Sequence, residues 1–203
     1  MLQLLNIAML PDVFDRCIAF WHDESPELTP PGLALNTLAL ELARRNYLLW
    51  HEEDKARRTD VDDSVIATVK RAIDRLNQQR NDLIEKLDEA ILAEVPRAMV
   101  DGSDEINSET PGSIVDRISI LSLKIYHMDE DGRRNDITAE HRERSLNRLM
   151  VLRLQRSDLF DALARLVDDY QAGRKRMKLY KQYKMYNDPT LNPELYGASV
   201  KSS

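Results

Sequence analysis

Asn46, Trp50, Glu53 and Arg57 follow one another at steps of four, three and four residues, a spacing that keeps them on one face of an α-helix. Leu35, Leu38 and Leu42 precede them on that face, so an apolar stripe continues as an amide, an indole, a carboxylate and a guanidinium, with Asp54 beside Glu53. A second stripe, Ile66, Val69, Ile73, Leu76, Ile84, Leu87 and Ile91, is interrupted by Arg80, with Asn77 and Asn81 flanking it and Asp74 one turn before Asn77. A third, Leu149, Leu152, Leu159, Leu163, Leu166 and Tyr170, is interrupted by Arg156. An unpaired charge buried in a core costs several kcal/mol, so if these stripes face one another the charges must pair across the bundle.

Three readings of these interruptions stay open. They form a structural layer of ion pairs and amides that fixes helix register. Or they line a pocket between helices, where bundles build their sites. There the arginines clamp a phosphate or carboxylate and Trp50 supplies an apolar wall. Or the pocket is catalytic, with Glu53 or Asp54 as acid, base or magnesium ligand. Asp116, Arg117 and His127, charged or polar positions in an otherwise apolar run, join the candidate set.

Histidine chemistry finds little support in the spacing. No Glu-x-x-His pair of the di-iron kind exists, and no Cys/His cluster has zinc spacing, so no metal ligand set is assigned. His51, followed by three acids, reads as an exposed histidine of raised pKa, and His127 as a partner of a helix C-terminus. Covalent catalysis and nucleotide-loop motifs are absent, and which cofactor, if any, is used stays open. Thr110, Gly112 and Ser113 open a helix in the order Thr-Pro-Gly-Ser, which reads first as an ordinary cap and second as an anion site with Arg117 one turn on.

The elements that must position these residues are all helical. A short helix begins at Leu10-Pro11-Asp12 and buries Val13, Phe14, Cys17, Ile18 and Trp21, ending near Asp23. Thr29 caps a long helix over 31–58; a second begins at Asp60, with Asp63 three residues on, and is stopped by Pro96. A turn-rich acidic loop follows over 100–110. The third helix spans 111–129 and is apolar enough to be buried on more than one side, and Asp131-Gly132 reads as its break. The last starts at Asp136 or Thr138 and extends to Tyr186, with a weak point at Gly173 and Tyr180, Tyr183 and Tyr186 at helical spacing. These boundaries give an all-α, single-domain bundle of four main helices over residues 1–186, with one or two short N-terminal helices and an extended tail over 187–203.

Composition agrees: 42% hydrophobic and 32% charged residues with only 6 glycines in 203 residues favour helices with charged outer faces over an all-β fold. One cysteine excludes an internal disulfide framework, and the apolar N-terminus, interrupted by Pro11-Asp12, is neither a signal peptide nor a membrane span, so a cytoplasmic protein is expected. Residues 171–203 hold seven Lys/Arg against two Asp/Glu, a balance of +5 that leaves −11 on residues 1–170. Docking of this basic segment on the acidic body, or a homodimer contact, is favoured over nucleic acid.

The boxes NYLLWHEEDKAR, VKRAIDRLNQQRNDLIEKLDE, ETPGSIVDRISILSLKIYHM and KLYKQYKMYNDPTLNPELY together resemble the bacterial domain-of-unknown-function family numbered 4254, over most of residues 33–196. The resemblance implies a small helical protein encoded beside glycosyltransferases for lipopolysaccharide or other surface polysaccharides, with a phosphate-bearing ligand and a protein partner in glycan synthesis as expectations. It carries no catalytic residues. The expected function is thus a binding or accessory protein with a polar interhelical pocket, against an enzyme on a sugar-nucleotide substrate or a purely structural interaction module.

Overall fold

The computed structural model describes residues 7–30, 37–95, 103–183, 185, 188 and 190–194. Among these residues, after one 3-10 turn, Ile7–Met9, come five α-helices: α1 Leu10–Asp23, α2 Thr37–Ala56, α3 Asp63–Glu94, α4 Pro111–Arg133 and α5 Ala139–Gln171. The chain is all-α, and among the described residues the only β-type pairing is an isolated bridge between Ile106 and Arg176. No helix among the described residues is long and apolar enough to cross a membrane.

α4 is the central element. Ile114, Val115, Ile118, Leu121, Leu123 and Ile125 are all buried, as are Asp116, Ser119 and Ser122. Such all-round burial requires neighbours on every side, and α4 packs on α1, α2, α3 and α5, while α2 also pairs with α3. α1 lays Leu10, Val13, Phe14, Cys17, Ile18 and Trp21 onto this core, the face anticipated from its apolar spacing.

The helix ends show which local signals were obeyed. Thr110 caps α4 by accepting from the Ser113 N–H at 3.2 Å, and Thr138 caps α5 by accepting from the His141 N–H at 3.1 Å. α3 starts after Asp62 rather than Asp60, which instead takes both guanidinium contacts of Arg58. The expected start of α2 at Pro31 lies outside the described residues, and the Thr29 hydroxyl accepts from Arg44 at 3.4 Å.

Two further expected boundaries are corrected. Asp131-Gly132 does not break α4, which continues to Arg133 because the freed carbonyls find a donor: Arg142 donates to Gly132 O and Arg134 O, each at 2.6 Å. α5 does not reach Tyr186 but stops at Gln171. Gly173 takes the left-handed conformation, φ 67°, while the Arg174 N–H bonds back to Asp169 O and the Gly173 N–H to Tyr170 O. This pair of bonds is the Schellman stop, which glycine permits without a Cβ penalty.

The basic segment therefore leaves the helix and lies along the body. Arg176 N–H donates to Glu105 O at 2.7 Å, Met177 is buried, and Leu179 packs on the core. Lys181 pairs with Glu85 at 3.1 Å and Glu89 at 2.5 Å on α3, and the Gln182 N–H donates to Glu85. Tyr180 and Tyr183 are exposed rather than aligned on a helical face, and Tyr186 lies outside the described residues, as does most of the expected tail over 187–203.

Candidate functional site

Where α2 runs alongside α3 and crosses α4, a cleft of about 360 Å³ opens, lined by Asn46, Leu49, Trp50, Glu53, Asp54, Arg57, Asn77, Arg80, Ile120 and Leu123. Seven of the side chains singled out from spacing thus share one surface. The step of three and four residues along α2 brings Asn46, Trp50, Glu53 and Arg57 down one wall, and α3 supplies Asn77 and Arg80 from the other.

Beneath the cleft, Asn46 and Arg80 reach into a buried polar network. Asn46 is buried, and its Nδ2 donates to Asp116 Oδ1 at 2.8 Å and to Ser119 Oγ at 2.7 Å. Ser119 in turn donates to the Asp116 carbonyl at 2.8 Å. Arg80 lies 3.7 Å from Asp116 as an ion pair, with its Nε buried and without a hydrogen-bond partner. Burial raises the Asp116 pKa, opposed by the Arg80 charge and the Asn46 bond. Asp116 is thus the buried carboxylate to which α2 and α3 both attach through α4, the cross-bundle pairing that burial of Arg80 requires.

The mouth of the cleft is different. The helix expected to run to Arg58 ends at Ala56, and Arg57, the next residue, is 68% exposed and bonds back one turn, to the Glu53 carbonyl and, at 3.5 Å, to the Glu53 carboxylate. It is therefore not a core arginine: the α2 stripe runs out past the core and delivers it to solvent. Glu53, Asp54 and Arg57 form a rim of mixed charge above an apolar wall of Leu49, Trp50, Ile120 and Leu123. A cavity with carboxylates, guanidinia and an indole can hold a polyhydroxylated ring against the indole, bond its hydroxyls through the carboxylates and amides, and meet a phosphate with arginine.

The remaining nominated residues are placed elsewhere. Asp74 is exposed and pairs with Lys70 along α3. Asn81 is buried but does not line the cleft. Arg117 is exposed and makes two 2.7 Å bonds to the Glu109 carboxylate. His127 lies behind the cleft wall, stacked on Trp50 with ring centroids 4.8 Å apart and planes 9° from parallel. Arg156 pairs with Asp15 of α1 and donates to Ser122 at 2.8 Å, a second interhelical charge layer separate from the cleft.

At the Thr110, Gly112 and Ser113 helix start, the chain supplies its own anion. The Gly112 N–H donates to Asp88 Oδ1 at 2.7 Å, and a Cβ on Gly112 would meet the Ile84 carbonyl at 2.7 Å. Glycine is present so that α4 can press against α3, and the position an external phosphate would take is filled by Asp88. Burial pushes the Asp88 pKa up to about 6, against the Thr110 hydroxyl and the Gly112 N–H, which favour the carboxylate.

His51 also departs from expectation: it is half-buried, and burial first, then the neighbouring His22 and His127, lowers its pKa rather than raising it. Ser119 and Asp88, absent from the residues singled out by spacing, gain their importance from contacts 73 and 24 residues away in the chain, which spacing along one helix does not reveal; Asp116, which was singled out, has its partner Asn46 70 residues away.

The family model described as "Protein of unknown function (DUF4254)" matches residues 36–179. No curated protein and no solved structure gives a match.

Proposed function

Because the chain belongs to the DUF4254 family of proteins of unknown function, which offers no reaction to inherit, we propose from its geometry that it binds a sugar phosphate or sugar nucleotide in the α2–α3–α4 cleft. In this reading it is a binding or accessory protein of bacterial surface-polysaccharide synthesis, acting in the cytoplasm. The observation that carries the reading is the convergence of Asn46, Trp50, Glu53, Asp54, Arg57, Asn77 and Arg80 on one cleft. The polysaccharide setting rests on the family resemblance. The ligand class rests on chemistry: an aromatic wall for a sugar ring, carboxylates and amides for hydroxyls, and arginines at the rim and floor for phosphate.

The volume suits a small ligand, being at the lower end of the roughly 300–1,000 Å³ that small-molecule pockets occupy. Thermal-shift titration with sugar nucleotides, sugar phosphates and inorganic phosphate, each with and without magnesium, tests the reading. A ligand at 100 times its Kd stabilises the native state by about 2.7 kcal/mol, which a melting curve resolves. Saturable stabilisation that Trp50→Ala and Arg80→Met each weaken supports the cleft, and no shift with any of these compounds contradicts it. Product formation that stops in Glu53→Gln or Asp54→Asn while binding persists would make the protein an enzyme on the same ligand.

A further inference from the structure

Behind the Trp50 wall, His22 at the end of α1, His51 on α2 and His127 on α4 meet. One ring nitrogen from each lies within 4.8 Å of the other two. Their rings form an interlocked set: His22 to His51 5.2 Å, His22 to His127 5.0 Å and His51 to His127 5.9 Å between centroids, all edge-on. Aromatic side chains enclose them, with Tyr126 stacked on His22 at 4.2 Å, Tyr47 against His51 at 4.5 Å and Trp50 on His127. The Tyr47 hydroxyl is already committed, donating to the Trp21 carbonyl at 2.9 Å.

The hydrogen bonding of these rings has one direction. His22 Nδ1 lies 2.7 Å from the Ile18 carbonyl, an acceptor only, so Nδ1 carries the proton and Nε2 presents its lone pair. His127 Nδ1 lies 3.4 Å from the Glu130 carboxylate, again an acceptor at neutral pH, which leaves Nε2 as the lone-pair nitrogen. The Nε2 atoms of His22, His51 and His127 are all buried without a hydrogen-bond partner. A buried unsatisfied nitrogen calls for an explanation singly, and three in one cluster call for a common one. Outer-shell acceptors that fix the tautomer, a backbone carbonyl on one ring and a carboxylate on another, are the usual company of metal-binding histidines.

We propose that His22, His51 and His127 are the protein ligands of a divalent transition-metal ion, bound through their Nε2 atoms. Three neutral imidazoles without thiolate or carboxylate suit zinc, copper, nickel or iron and not magnesium or calcium. Zinc bonded to nitrogen at about 2.0–2.1 Å in a tetrahedron sets its ligands about 3.4 Å apart, so each nitrogen moves inward by less than about 1 Å, within reach of small ring rotations. The three ligands leave a fourth position for water or an exogenous ligand. The ion ties α1, α2 and α4 together where α1 ends. The proposal does not depend on the ligand of the neighbouring cleft, because its tests use the metal alone.

The chelator-stripped 203-residue chain titrated with Zn²⁺ should bind one equivalent and melt at higher temperature, with no comparable response to Mg²⁺. Co²⁺ should give the visible absorption bands of a four-coordinate nitrogen site. His51→Ala should lose more than the roughly 10–100-fold in affinity that outer-shell changes cost. His141→Ala, whose ring bonds to Asp131 at 2.8 Å away from the cluster, should bind as the parent does. If a histidine variant fails to fold, side-chain ¹⁵N spectra of the parent protein decide the matter: Zn²⁺ should move the Nε2 signals of three of the 4 histidines and leave that of His141 in place. Binding below half an equivalent, equal affinity in a folded His51→Ala, or ring signals that do not respond to Zn²⁺ would overturn it.

Discussion

Asp88 gives the most quantitative handle on how the bundle is joined. It is 4% exposed, accepts the Gly112 N–H at 2.7 Å and holds the start of α4 against α3. Its pKa rises from 3.8 to about 6, chiefly through burial, with the Glu85 charge adding to the effect. Between those two values the native state holds a proton that the unfolded chain has released, so stability falls as pH rises. The contribution is fully present below about pH 4 and lost by the time pH has passed about 6; two pKa units correspond to about 3 kcal/mol. Asp88→Asn keeps a carbonyl for the Gly112 N–H, cannot ionise, and can direct its amide protons to the Thr110 hydroxyl oxygen. Urea unfolding of parent and variant from pH 4 to pH 8 isolates this group, because all other carboxylates cancel in the difference. The stability of the variant relative to the parent should increase by about 3 kcal/mol across that range and then level off. A difference that is flat with pH, or that declines, refutes the assignment of Asp88 as a buried carboxyl group ionising at a cost.

Other substitutions test the remaining joints. Gly112→Ala places a methyl group 2.7 Å from the Ile84 carbonyl and should cost about 1–3 kcal/mol, seen as a lower urea midpoint at unchanged slope. Met177→Ala should cost about 2–5 kcal/mol because the side chain is 3% exposed. Lys181→Ala, despite its two ion pairs, should cost no more than about 1 kcal/mol since the pairs face solvent. A cycle of Asn46→Ala and Asp116→Ala should give a coupling of about 1–3 kcal/mol by denaturation, whereas additive effects would show that their 2.8 Å bond does not link α2 to α4.

The helices were legible wherever periodicity and a local cap agreed. The stripe of α1, the Thr110 and Thr138 caps and the all-round burial of α4 all follow from residues within one or two turns of each other. Boundaries were misread where a distant partner decided them. α4 continues through Asp131-Gly132 because Arg142 takes its carbonyls, and α5 stops because a left-handed Gly173 closes it and Glu85 and Glu89 hold the chain that follows. In the cleft, spacing along α2 and α3 marked the wall residues, but the partner of Arg80 proved to be Asp116 on α4, while Asp74 pairs locally with Lys70. Arg57 continues the α2 spacing yet reaches solvent, because periodicity tells which face a residue would occupy and not that the helix ends at Ala56. The histidine cluster left no local trace: its members are 29 and 76 residues apart, on three helices.

The cleft can be interrogated directly through its indole. The chain has 2 tryptophans, and Trp21, whose Nε1–H donates to the Leu28 carbonyl at 3.0 Å, serves as an internal reference away from the cleft. In ¹H–¹⁵N spectra recorded during titration with sugar nucleotides, the Trp50 indole signal should move saturably while that of Trp21 stays in place. No movement of the Trp50 signal with any sugar nucleotide or sugar phosphate would contradict the reading of this cleft as the ligand site.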